Sequence, residues 1–276
     1  PIGNFHINLV LMLDEKSKQL RRTIVQTVVS GGRGHIGPAG SLVELLRVIY
    51  DEWLRFDVDN PEWPFRDRFI LSKGHGCLAL YTVLADKGFI SHEELETFCR
   101  SDSMLGGHPE IRIPGVEAST GSLGHGLSIG VGMALAAKIS DRNYRVGVVV
   151  GDGELNEGAV WEAAMSANKH QLSNLVVFID YNKMQSYGSV SDVLDLEPLR
   201  SKWESFGFET MEIDGHDISA LEALMEVLPL HKSRPSTVIC HTVKGKGFGI
   251  ASGNPDWHHK SRLSSAEIQD LTRDLN

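Results

Sequence analysis

Four short apolar runs, separated by helix-length stretches, constrain the fold of this chain more than any other feature. Tyr144–Val150 contains Val146, Val148, Val149 and Val150, and Leu175–Ile179 and Thr237–Cys240 repeat the style, with Arg68–Ser72 an earlier and weaker case. An antiparallel strand with one wet face would alternate polar and apolar residues. Continuous apolarity instead marks a parallel strand covered on both faces. Helical patterns fill the intervals at Cys77–Lys87, Leu127–Ile139, Gly158–His170 and Ile218–Leu228. The expected architecture is therefore α/β, a mostly parallel sheet with helices on both faces. The length of 276 residues suits a single domain over residues 1–276.

Before the first strand, Asp14–Ser30 reads as an amphipathic helix ended by Gly31-Gly32-Arg33-Gly34. A second helix is expected over Ser41–Trp53, then a proline-containing loop, Asp59–Phe65. A short closing helix is expected after Ser264.

Charge and cysteine content exclude several classes. A net charge of −9 argues against a sequence-independent nucleic-acid binder, which needs a basic face. It does not exclude a phosphate ligand held by backbone N–H groups, helix N-termini and a divalent metal. Cys77, Cys99 and Cys240 are odd in number and lack CxxC spacing, so a disulfide framework or zinc site is not expected, and reduced thiols point to the cytoplasm. The apolar run Ile7–Leu13 is too short, and too closely followed by Asp14 and Glu15, for a signal peptide or membrane span.

In open α/β sheets ligands collect beyond the carboxyl ends of the strands. The Val146–Val150 run ends in Gly151-Asp152-Gly153, and the next in Asp180-Tyr181-Asn182-Lys183. The interval between them holds a turn, a helix and a return strand. Consecutive parallel strands usually lie side by side, about 4.8 Å apart. Asp152 and Asn182 can then converge on one cation, and carboxylate and amide oxygens suit Mg²⁺. Gly151 and Gly153 bare the backbone where a diphosphate must approach.

Several of the twelve histidines sit in glycine-rich loops: His35, His75, His108 and His125, with the pair His258-His259 after Trp257. Histidines at strand ends suit proton transfer and recognition of polyhydroxylated carbonyl compounds. No HxxxH or HxH spacing favours metal ligation by them.

GHIGPAGSL, LSKGHG, GGHPE, STGSLGHGLS, GDGELNEG, DYNK and VKGKG, in this order, resemble the N-terminal, diphosphate-binding domain of the transketolase family over roughly Ser17 to Lys260. The GDG triplet followed at this distance by an asparagine resembles the thiamine-diphosphate signature, with Tyr181 replacing the first asparagine of its pair. The resemblance implies thiamine diphosphate and Mg²⁺ as cofactors, with Asp152, Asn182 and the Met184 carbonyl as metal ligands. It implies Gly151 and Gly153 against the diphosphate, Lys244 near it, and Gly121 and Leu123 lining the cofactor. His35, His75 and His108 resemble the histidines around the thiazolium and the sugar C1 hydroxyl. His258 matches the late active-site histidine, with His259 one residue away. Glu157 matches a glutamate near the subunit interface. Arg33 stands where the family usually has a small residue, Ile36 where proline is common, and His125 where glutamine is frequent. A cation beside His35 would favour an anionic substrate group or a carboxylate of a partner chain.

The glutamate that activates the cofactor in this family lies in a second, pyrimidine-binding domain, which this chain does not contain. The family includes two-polypeptide enzymes, so the resemblance implies an α₂β₂ assembly. Its partner would be a C-terminal subunit carrying the pyrimidine-binding and C-terminal domains. The implied reaction is transfer of a two-carbon ketol unit from a ketose phosphate to an aldose. A 1-deoxyxylulose-phosphate-synthase-like condensation and a non-catalytic cofactor-binding subunit are the alternatives. A dinucleotide-binding dehydrogenase would need GxGxxG after the first strand, which is absent.

Overall fold

The structure, a computed structural model, describes residues 13–186 and 188–275. Of the apolar run Ile7–Leu13, only Leu13 falls inside that range. Helix α1 (Glu15–Gly31) starts at Asp14, whose carboxylate accepts the Ser17 N–H at 2.7 Å. It ends at Gly32, in the left-handed region at φ +68°. A short α2 (Ile36–Gly40) leads into α3 (Val43–Val48). The single helix expected over Ser41–Trp53 is instead α3 followed by a π-helical turn, Ile49–Trp53. That widened turn seats the Trp53 indole under Gly147, where a Cβ would lie 2.8 Å from the ring.

Five strands form the main sheet: β1 (Arg68–Leu71), β2 (Val146–Gly151), β3 (Leu175–Tyr181), β4 (Glu209–Asp214) and β5 (Ser236–His241). Their order is β1-β2-β3-β5-β4, and every pairing is parallel. Side chains alternate between two cores. Val149, Val176, Phe178 and Val238 pack with α1, α3, α4 (Cys77–Asp86) and α8 (Ile218–Val227). Val146, Val148, Val150, Val177, Ile179 and Ile239 pack with α5 (His125–Ile139), α6 (Gly158–Lys169) and α7 (Leu199–Ser205). This is the α/β sandwich that the apolar runs imply.

The strand β4 and the helix α7 before it are not anticipated from the sequence. β4 lies at a sheet edge with one neighbour, and it mixes buried Thr210 and Ile213 with partly or fully exposed Glu209, Met211 and Glu212. A half-covered edge strand has no reason to be continuously apolar.

Near the chain end, α9 (Ser265–Thr272) carries a Ser264/Glu267 capping box. A two-stranded ribbon pairs Arg33–Gly34 with Lys260–Ser261, which carries the loop before it back over α2. Among the described residues no helix is long and apolar enough to cross a membrane.

Candidate active site

Because the sheet is parallel, β1, β2, β3 and β5 all release their chains at the same edge, where a cleft of ≈200 Å³ opens. Pro38, Lys73, His75, Gly121, Leu123, Gly151, Asp152, Gly153, Asn182, Met184, Gln185, Lys244 and His258 line it. The residues expected from the sequence at the diphosphate and the metal are in this set; Glu157 is not, nor are His35 and His108, which were expected around the thiazolium.

Adjacent strands with Gly151 opposite Asp180 set Asp152 next to the chain that turns into Asn182. The Asp152 carboxylate accepts the N–H groups of Gly153 at 2.8 Å and Lys183 at 2.6 Å. The Asn182 carboxamide accepts the Met184 N–H at 3.1 Å, so its oxygen is oriented rather than free to flip. Lys183 reaches this turn in the left-handed region, φ +63°. Burial and the nearby charge of Asp180 push the Asp152 carboxyl up to about 7. The residues fit a hard divalent cation on two grounds. The oxygen donors retain further lone pairs, and a buried carboxylate pushed toward neutrality is relieved by a positive charge. Among the described residues no group of three or more His, Cys, Asp or Glu side chains is placed to hold a metal alone. A cation here therefore depends on amide and carbonyl oxygens and on oxygens of the ligand itself.

The floor beneath these groups was not singled out from sequence. Asp180, fully buried, is ion-paired to Lys73 and accepts from Thr242, from Ser41 at 2.6 Å and from the Asn182 amide at 3.3 Å. Burial alone would raise its carboxyl, but Lys73 and the hydroxyls hold it below the usual range. The signal was period two: Asp180 and Asn182 share one face of the strand end, whereas Tyr181 turns away. The Tyr181 hydroxyl donates to Glu197 at 2.7 Å, outside the cleft. The tyrosine that stands in place of the signature's first asparagine thus lies outside the cleft lining. Buried Glu154 is a second tie, accepting from Ser72, from the Gly124 N–H at 2.7 Å and from the Gly151 N–H at 3.2 Å.

The loop histidines gather at the mouth. His35 lies 5.7 Å from His75, 6.1 Å from His108, 5.4 Å from His258 and 4.7 Å from His259, ring centre to ring centre. His258, which lines the cleft, is also 5.4 Å from His75. His259 stacks edge-on against His35 instead. Burial, then the neighbouring histidines and Arg33, lower His35 to about 3. Burial, Lys244 and Lys73 lower His258 to about 4. Burial also moves His75 well below its ordinary value and lowers His108. All four rings are neutral at neutral pH, so each offers one donor and one acceptor. The His108 ring lies against Gly121, whose φ of +143° disfavours any other residue and whose Cβ would come within 3.1 Å of the ring. His125 is exposed, with Nδ1 near the Leu123 carbonyl.

Lys244 is buried, and its ammonium donates to the Ser186 carbonyl at 3.1 Å. Burial and Lys73 lower it to about 8. Glu157 lies apart from the cleft, exposed at the start of α6 with its Cβ packed beneath Gly124.

Comparison with known proteins gives the family and the fold. The profile described as transketolase, thiamine diphosphate binding domain, matches residues 14–276. An apulose-4-phosphate transketolase subunit of Phocaeicola vulgatus is 41% identical over 247 residues, 90% of this chain and 88% of that protein. The 6-deoxy-6-sulfo-D-fructose transketolase subunit of a Clostridium species is 39% identical over 248 residues, 90% of each. A point-mutant transketolase from Pichia stipitis superposes with a TM-score of 0.88 at 31% identity, covering 95% of this chain and 40% of that one. Transketolase from Campylobacter jejuni gives 0.87 at 31%, covering 95% and 42%. The chain thus spans about two-fifths of these solved transketolases and nearly all of the two relatives that are themselves transketolase subunits.

Proposed function

The chain belongs to the transketolase family, carrying its thiamine diphosphate binding domain, and from that premise we propose that it is the first subunit of a two-chain, Mg²⁺-dependent transketolase. The observation that carries the reading is the convergence of Asp152, Asn182, Met184, Lys244 and four neutral histidines on one glycine-floored cleft at the sheet's carboxyl edge.

Asp152, Asn182 and the Met184 carbonyl would hold Mg²⁺. Gly151 and Gly153 expose backbone to the diphosphate, Lys244 supplies a positive charge beside it, and Gly121 and Leu123 cover the rings. Thiamine diphosphate, when bound, supplies carbanion stabilisation next to a ketose carbonyl. His35, His75, His108 and His258, held neutral by burial, donate to and accept from sugar hydroxyls and take up or return protons near the reacting carbons. Arg33, exposed beside His35 and His259, suits an anionic substrate such as a ketose phosphate donor.

A cleft of ≈200 Å³ is smaller than the roughly 300–1,000 Å³ of pockets that enclose a ligand of cofactor size. The remainder of the cofactor is accordingly covered by a partner subunit carrying the pyrimidine-binding and C-terminal domains, in an α₂β₂ assembly. Exposed Glu157, outside the cleft, is the residue we assign to contact with that partner, as its match to an interface glutamate of the family suggests. The relatives of matching length are named as subunits of transketolases, which supports this division of labour. Three free cysteines suit the cytoplasm.

Two measurements test the proposal. With Mg²⁺ and thiamine diphosphate, ketol transfer is expected only when the C-terminal subunit is added, and full turnover by this chain alone overturns the split assignment. Asp152→Ala should weaken Mg²⁺-dependent cofactor binding about 100-fold or more in calorimetry, beyond what changes outside the ligand shell typically do. Unchanged binding removes Asp152 from the metal.

A further inference from the structure

The segment Thr242–Gly247, which carries Lys244, contains Gly245 at φ +74° and Gly247 at φ +79°. Glycines make such a loop possible and also raise the entropy lost when it is ordered. It is nevertheless gripped on both sides of Lys244. On one side the Val243 N–H donates to His216 Nε2 at 2.8 Å. That nitrogen must carry a lone pair, so the ring bears its proton on Nδ1, 2.8 Å from Glu44 Oε2. On the other side the Lys246 carbonyl accepts from Arg21 Nε at 2.7 Å. The Arg21 terminal nitrogens grip the same carboxylate, at 2.5 Å to Oε1 and 2.9 Å to Oε2. Glu44 and Arg21 are 1% and 0% exposed. They lie on α3 and α1, and His216 follows β4, so one carboxylate joins three elements to one loop.

We propose that Glu44 is the positioning residue for Lys244: its carboxylate fixes the histidine tautomer that holds Val243 and the guanidinium that holds Lys246, and so presents the lysine to the diphosphate. The proposal rests on the reading of Lys244 as a diphosphate contact. An acceptor at both oxygens is essential to it. In Glu44→Gln the amide either turns its NH₂ toward Arg21, donor against donor, or donates to His216 Nδ1. The second choice moves the ring proton to Nε2, facing the Val243 N–H. Either way one grip opens, without any change of side-chain size.

The test uses the full chain with its partner subunit, Mg²⁺ and thiamine diphosphate. Glu44→Gln is paired with His216→Phe, which opens only the Val243 side and leaves the Arg21–Glu44 pair intact. Each variant is made with and without Lys244→Met. Calorimetry should show cofactor affinity falling about tenfold in each variant, the scale at which orienting groups act. In the Lys244→Met background the further loss should be under about twofold, the non-additivity expected of residues acting through one another. Amide exchange over residues 242–247 should quicken in both variants without cofactor. Unchanged exchange, or an equal affinity loss in the Lys244→Met background, overturns the proposal. Lys244→Met alone binding as the parent does would instead refute the diphosphate reading. Amide exchange would still decide whether Glu44 holds the loop.

Discussion

Lys244 shows how much of this site depends on single groups taken out of water. Burial and Lys73 bring its ammonium down to about 8. A bound diphosphate, being anionic, would raise that value again. Between the two, binding takes up a proton, and affinity falls as pH rises through the bound-state pKa. Below about pH 8 the lysine is already charged and adds no pH dependence of its own; the fall in affinity expected on the acid side, through about pH 7, belongs to protonation of Asp152. Calorimetry in buffers of different ionisation heat checks the proton uptake. Lys244→Arg, whose guanidinium keeps its charge, should abolish the uptake and flatten the profile above about pH 8. The histidines behave in the opposite way. Burial keeps their protonated forms out of reach at neutral pH, which suits the exchange of hydrogen bonds with sugar hydroxyls proposed above.

At the scale of elements, the loops that bear these groups owe their placement to close helix–strand contacts. Gly126 in the first turn of α5 lies directly on the end of β1, where a Cβ would sit 2.3–2.7 Å from Ser72, backbone included. Ser72 donates to Glu154, and Glu154 ties the Leu123-Gly124 loop to the end of β2. Gly126→Ala should therefore destabilise the chain by about 1–3 kcal/mol, the usual scale of overpacking. It should also weaken cofactor binding, because α5 cannot shift without moving Leu123. Denaturant melts and calorimetry on one preparation read both effects. Stability lowered with affinity intact would show that α5 and its loop move independently. Gly126, and Gly130 against Val148, thus report close neighbours rather than a weak helix.

For the whole molecule, the parallel sheet gathers the proposed cofactor residues along one edge. On the proposed two-chain reading, the assembly should titrate to equal numbers of the two subunits, with light scattering giving the mass of two copies of each. Activity that saturates in a species with one copy of each would contradict the α₂β₂ arrangement.

Much of this organisation was legible in the linear order of residues. Runs such as Val146–Val150 can satisfy both faces only inside a covered parallel sheet, so fold class follows from apolarity alone. The strand-end turns after Gly151 and Tyr181 are local, and the parallel rule makes them neighbours, so Asp152 and Asn182 were foreseeable as a pair. β4 was not, because an edge strand with one neighbour carries the mixed pattern of a loop. Nor were Asp180–Lys73 and Glu44–Arg21–His216 foreseeable: each joins residues far apart in the chain through side chains that only packing brings within hydrogen-bond reach. A single sequence records which groups are capable of such bonds. Which of them lose their water together, and must then find one another, is decided by the tertiary structure.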